Sequence, residues 1–216
     1  RHTRDGSTAR ARAVRARVSP GFAVAVKINS ADFQRGGFDS ADALATLKLL
    51  NELPVDLLEL SGGSYESPAM QGRTADGRTL AREAYFLEFT SQLAKEARMP
   101  LMTTGGIRRR AVAEQVIAQG VGIAGMATAL TIVPDLPARW RAGEDTEANL
   151  PPVNWSDKTL SALATMSVIK RQLRRLGARR NSKPNASPLL SLILDRLRIK
   201  RLTGRYRQRL GNNQAQ

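Results

Sequence analysis

Val24 to Ser30 (VAVKINS), Leu58 to Glu66 (LELSGGSYE) and Leu101 to Arg108 (LMTTGGIR) are three apolar runs that each end in polar or glycine-rich residues. In a parallel α/β sheet the strands are buried on both faces and read as near-continuous hydrophobic runs, while ligand-binding groups collect at their C-terminal ends. The three stretches therefore read as parallel strands opening onto one site.

Working outward, Phe22 to Ile28 is the first strand, entered through the Pro20-Gly21 turn. A helix follows, capped by Asp39 or Ser40, with Leu44, Leu47 and Leu50 on one face. Val55 to Leu60 is the second strand and runs into Ser61-Gly62-Gly63. After a polar loop through Gly77, Phe86, Phe89 and Leu93 form the stripe of a helix ending near Arg98. Pro100 to Thr104 is the third strand, and Gly105-Gly106 turns it into a helix with Val112, Val116 and Ile117 on its apolar face and Gly120 at its C-cap. Ile123 to Leu130 reads as a fourth strand, closed by Pro134-Asp135-Leu136-Pro137.

Strands alternating with helices of this length require parallel pairing and right-handed crossovers. An open doubly wound sheet fits the pattern, but the glycine pairs at strand ends and the short last unit favour a piece of a (β/α)8 TIM barrel. A complete barrel takes about 200–250 residues, and only about 140 are α/β here, enough for half. The rest is helical. Ser156-Asp157 caps a helix with Leu160, Leu163, Ile169, Leu173 and Leu176 on its apolar side, stopped at Gly177. Ser187-Pro188 opens another, whose stripe of Leu190, Ile193, Leu194, Leu197 and Leu202 faces a rim of arginines. The expected organisation is an N-terminal helical segment over 1–19, a half-barrel over 20–143 and a basic helical extension over 144–216.

The formal net charge of +15 is not spread evenly. Arg1 to Arg17 holds six basic residues and one acidic, Asp157 to Gln216 fifteen and two, and Val18 to Ser156 between them thirteen and sixteen. The α/β body is thus slightly acidic, and the basicity belongs to the two ends. Zero cysteines exclude a disulfide framework and a thiolate metal site, and with a single histidine any zinc site would have to rest on carboxylates. The composition fits a cytoplasmic protein: no stretch approaches the roughly 20 apolar residues of a membrane span, and the basic N-terminus lacks a signal peptide's apolar core. Arg1 is not an initiator methionine, so the expectation is part of a longer product or a trimmed gene.

Gly105-Gly106 sits between an apolar strand and a helix, where free backbone N–H groups and the positive helix end favour a phosphate; the plainer reading is a tight turn. Lys27 interrupts an apolar run near a strand end, and alternation turns it away from Val26 and Ile28, to the barrel interior or mouth, where a lysine is costly to bury unless it meets an anion or an electron-rich ring. The plainer reading is a charge snorkelling from an edge strand. Arg108-Arg109-Arg110 opens a helix, where positive charge opposes the dipole, so either one of them meets an anion or the run is a solvated face. The arginines of the C-terminal helix suit a solvated amphipathic helix, an anionic membrane surface, a partner protein or nucleic acid. Against nucleic acid, Tyr206 alone makes no stacking platform.

The run VKINSADFQRGGF at Val26 to Phe38, ELSGGSYE at Glu59 to Glu66, TTGGIR at Thr103 to Arg108 and PDLP at Pro134 to Pro137 resembles the C-terminal half of the NADH:flavin oxidoreductases, the old yellow enzyme family. The resemblance covers roughly Pro20 to Pro137, and the helical tail looks like that of one bacterial subgroup. It implies strands five to eight of a flavin mononucleotide (FMN) barrel, with NAD(P)H as reductant and an activated alkene or other small molecule as acceptor. It also implies that Lys27 contacts the flavin pyrimidine and that Gly105 and Gly106 bind the FMN phosphate. After the eighth strand the family carries glycine-arginine, where this chain has Ala127-Thr128, leaving the Thr128 hydroxyl for that contact. Gly122-Ile123-Ala124-Gly125 likewise replaces alanine-aspartate-valine-glycine. Strands one to four are not in this sequence, and with them go the family's substrate-binding histidine or asparagine pair, its tyrosine proton donor and its flavin-reading glutamine; His2 does not replace them. The resulting expectation is an N-terminally truncated FMN-dependent oxidoreductase. The alternative is an inactive half-barrel, completed by self-association or by a missing half, or an interaction module acting through its basic helices.

Overall fold

The computed structural model describes residues 2–29, 38–61, 83–84 and 86–214, with side chains from 8 to 210. In chain order the elements are α1 (His2–Arg15), β1 (Ala25–Asn29), α2 (Ser40–Leu50), β2 (Leu57–Ser61), α3 (Leu87–Ala94), β3 (Leu101–Thr103), α4 (Arg110–Ala118), β4 (Ile123–Ala124), α5 (Thr128–Ile132), α6 (Leu136–Arg141), α7 (Lys158–Gly177) and α8 (Pro188–Gln214). They fall into two compact units, Arg1–Ala127 with Arg139–Glu147, and Thr128–Ala138 with Ala148–Gln216.

The first unit holds a parallel four-stranded sheet in the order β1-β2-β3-β4. The order never reverses. Leu47 and Leu50 of α2, Leu87 and Leu93 of α3 and Val116 of α4 share one buried cluster with Leu58, Leu60 and Leu101 of the strands. The three described crossover helices therefore lie on one face of the sheet, whereas a doubly wound sheet carries them on both and reverses its strand order.

Local chemistry explains the element ends. Asp39 caps α2 in a reciprocal capping box with Asp42. Asn51, just past α2, ties it to the segment before β3, donating to the Glu96 carbonyl (2.8 Å) and accepting from the Arg98 amide (2.9 Å). At the N-terminal edge of the sheet Arg15 of α1 donates to the carbonyls of Phe22 (2.7 Å) and Pro54 (2.8 Å) and pairs with Asp56, which also accepts from the Val24 amide. The N-terminal helix thus clamps the entries of β1 and β2.

Two readings from the sequence are corrected. The fourth strand stops at Ala124, and Thr128–Ile132 is helical, with Ala129, Thr131 and Ile132 buried. A short apolar run bounded by turns has the same periodicity in a buried strand and a buried helix. In the second unit, α7 does not bury Leu160, Leu163 and Leu173, which are exposed; it buries Ser161, Ala164, Ser167, Val168 and Gln172. Small residues let neighbouring backbone approach closely, and the buried polar groups are satisfied. Ser161 Oγ donates to the Val153 carbonyl, Ser167 Oγ to the Leu163 carbonyl (2.8 Å), and Gln172 donates to the Val168 carbonyl (3.3 Å) and accepts from the Lys183 amide (2.6 Å). Helix α8 packs on α7 through Ser191 and Asp195, while Leu190, Ile193, Leu194, Leu197 and Leu202 stay exposed.

Candidate functional site

The C-terminal ends of β1, β2 and β3 lie along one edge of the sheet, because the strands are parallel and in register. Lys27 is the third residue of β1 and stands opposite Glu59 of β2, which stands opposite Met102 of β3. Val26 and Ile28 pack into the cluster beneath the helices. Strand alternation therefore turns Lys27 and Glu59 to the other face, away from the described crossover helices. There Lys27 Nζ donates to Glu59 Oε1 at 2.6 Å, with 60% of the lysine side chain and 20% of the glutamate side chain exposed.

Past the end of β3 the chain turns through Gly105 (φ 124°) and Gly106 (φ 72°), both in the left-handed region that favours glycine. Among the described residues neither glycine amide has a hydrogen-bond partner. Consecutive amides in such a turn form a concave, partially positive surface suited to an anion. The following helix is occupied differently. Glu83, its side chain 1% exposed, accepts from the amides of Arg108 (2.9 Å) and Arg109 (3.1 Å) and from Arg109 Nε (2.7 Å). A carboxylate of the chain itself thus caps the N-terminus of α4 and neutralises two of its three opening arginines, while Arg110 pairs with Glu114 (2.7 Å).

Gly125 fixes the distance between β4 and the end of β3. Its amide donates to the Thr103 carbonyl at 2.7 Å, and a Cβ added there would meet Thr104 Cγ2 at 2.6 Å and the Thr103 oxygen at 3.1 Å.

Lys27, Gly105 and Gly106 are thus carried on one sheet. Thr128 belongs to the second unit, exposed at the first residue of α5, with its carbonyl accepting from Thr131 Oγ1 (2.8 Å). Gly62 and Gly63 of the Ser61-Gly62-Gly63 turn, and the polar loop through Gly77, lie outside the described residues. Sequence reasoning missed Glu59 and Glu83. Glu59 had a signal: β1 and β2 each carry one charge two residues before their last residue, so aligning the strand ends pairs Lys27 with Glu59. Glu83 had none, because its partners are 25 and 26 residues away. No cluster of three metal-ligating side chains occurs among the described residues.

No protein-family model matches the chain. It is 32% identical to the NADH-dependent flavin oxidoreductase iliE of Neonectria sp., over 71% of this chain and 21% of that protein. It is 34% identical to the iliE protein of the same description from Hypocrea jecorina, over 58% of this chain and 32% of that protein. With the NADH-dependent flavin oxidoreductase nadA of Aspergillus parasiticus it shares 33% over 46% of this chain and 22% of that protein. The chain spans between a fifth and a third of the length of these relatives. Four relatives of one description, 28–34% identical over 46–71% of this chain, support the NADH:flavin oxidoreductase family for it.

Proposed function

We propose that this chain supplies strands five to eight of an FMN-binding TIM barrel in an NAD(P)H-dependent oxidoreductase. The observation that carries the reading is the pair Gly105 and Gly106, with positive φ and amides that have no partner among the described residues, following β3 of the sheet that carries Lys27. These residues fit a flavin nucleotide at its two ends. The glycine amides would hold the phosphate, and Lys27 would sit against the pyrimidine ring. Because Glu83 already fills the helix end, the glycine amides rather than the amides of α4 would carry the phosphate. Glu59 holds the Lys27 ammonium on this face of the sheet. FMN, when bound, would take a hydride from NAD(P)H and pass it to an activated alkene or another acceptor; the chemistry is the cofactor's and the orientation is the protein's. The cysteine-free composition suits the cytoplasm.

One observation favours a second reading, in which this chain binds flavin but needs more protein to turn it over. Among the described residues no helix packs on the sheet face carrying Lys27, and Ile123 of β4 is exposed there, while parallel sheets are normally covered on both faces.

The test is anaerobic mixing of the purified chain and FMN with NADH or NADPH, following flavin absorbance. Bleaching faster than for free FMN supports the oxidoreductase. Bound flavin reduced no faster than free FMN assigns turnover to a longer protein, and a folded chain that binds no flavin contradicts both readings.

A further inference from the structure

We propose that the α7–α8 hairpin is a docking surface for an anionic phospholipid bilayer, on which the C-terminal half of α8 lies along the headgroup plane. In that half Ile199, Leu202, Tyr206 and Leu210 recur at i, i+3, i+7 and i+11, one face of a helix. They are 44%, 46%, 63% and 46% exposed. A helix of seven Lys/Arg and one acidic residue flanks this stripe with cations on both sides: Arg198, Arg205 and Arg209 on one, Arg196, Lys200 and Arg207 on the other. Long basic side chains beside an apolar stripe place their stems on the apolar layer and their charges among phosphates, the design of an interfacial helix. Among the described residues no helix is long and apolar enough to cross a membrane, so the surface lies on a bilayer rather than through it.

The second observation is a cleft of about 450 Å³ between α7 and α8, lined by Arg171, Arg174, Arg198, Arg201 and Arg205 together with leucines, and by no acidic side chain. The one acid of the hairpin interface, Asp195, is already engaged by Lys170 (3.2 Å) and by Arg174 (2.8 Å). Arg198, Arg201 and Arg205 have no acidic partner among the described residues. Such a mixture of guanidinium and leucine matches a phosphate ester carrying acyl chains. A second copy of the chain would bring the same positive surface, and nucleic acid would leave the leucines wet.

The experiment is cosedimentation of the full chain with phosphatidylcholine vesicles and with vesicles of phosphatidylcholine and phosphatidylglycerol. Double-stranded DNA fragments serve as a competing polyanion. The proposal expects binding to the anionic vesicles only and weakening with salt. Neutralising three arginines (Arg198→Gln, Arg201→Gln, Arg205→Gln) should weaken partitioning about a hundredfold. Replacing Leu202 and Tyr206 by Ser should weaken it at least tenfold. All these side chains are exposed, so circular dichroism should be unchanged in both variants. No vesicle binding overturns the proposal. So does vesicle binding indifferent to the Leu202 and Tyr206 replacement and abolished by equimolar DNA, which assigns the surface to nucleic acid. A chain that dimerises through this stripe and ignores vesicles overturns it too.

Discussion

Glu83 reaches across the N-terminus of α4 to Arg109, with Oε1 2.7 Å from Nε and Oε2 3.1 Å from the same residue's amide. One buried carboxylate therefore caps a helix whose own N-cap residue, Arg109, supplies no capping side chain. Glu83→Ala should destabilise the first unit by about 1.5–3 kcal/mol, the range for hydrogen bonds to a charged group. Glu83→Gln keeps one acceptor and should cost less. Urea unfolding followed by circular dichroism separates the two, and equal stability of wild type and Glu83→Ala would show that the cap is dispensable.

Lys27 and Glu59 are paired but largely exposed on the lysine side, so breaking the pair should change stability by about 0–1 kcal/mol. Its importance lies in ligand binding. Lys27→Ala should weaken FMN at least tenfold, the equivalent of one lost charge-assisted contact of about 1.5–3 kcal/mol. Glu59→Gln should leave affinity equal or slightly higher, since it frees the ammonium. Flavin fluorescence titration reads both, and weaker binding in Glu59→Gln than in Lys27→Ala would reverse the assignment.

Gly125 allows β4 to approach β3, and an alanine there would press on the Thr103 carbonyl and the Thr104 methyl. Gly125→Ala should cost about 1–3 kcal/mol, as overpacking does. A thermal unfolding midpoint equal to that of the wild type would mean that the strand ends shift without cost.

How much of this was legible beforehand depended on whether the partner was near in sequence. The Asp39 and Asp157 caps, Gly120 in the left-handed region and the alternation that turns Lys27 away from Val26 and Ile28 all follow from local rules. Leu58, Leu60 and Leu101 are buried as their apolar runs require. The end of β4 was not legible, because Ala127 to Ile132 suits a buried strand and a buried helix equally. The face of α7 was misread because burial there follows close packing of Ser161, Ala164 and Ser167 rather than hydrophobicity. Glu83 was invisible for a third reason: its role exists only once a distant segment is folded against α4.

Two aspartates set the acid limb of stability. Hydrogen bonds from the Val24 amide and then from Arg15 hold the Asp56 carboxyl below its ordinary value. For Asp195 burial works in the raising direction, but the hydrogen bonds and charges of Arg174 and Lys170 outweigh it and the net shift is downward. A carboxyl lowered in the folded state stabilises fully above its unfolded pKa and loses that contribution as pH falls through its folded value. Stability should therefore fall as the pH drops below the ordinary carboxylate value, and Asp56→Asn and Asp195→Asn should each flatten that fall while lowering stability at neutral pH. Urea midpoints across the pH series check this, and parallel curves for wild type and variants would contradict it.

A flavin phosphate site at Gly105 and Gly106 is tested by an FMN titration of the purified chain against Gly106→Ala. Alanine at φ 72° is strained and adds a methyl beside the amides. Saturable FMN binding by the wild type, weakened at least tenfold in a Gly106→Ala variant that remains folded, is the predicted result. Binding unchanged by the substitution, or no binding by a folded wild-type chain, would contradict the assignment.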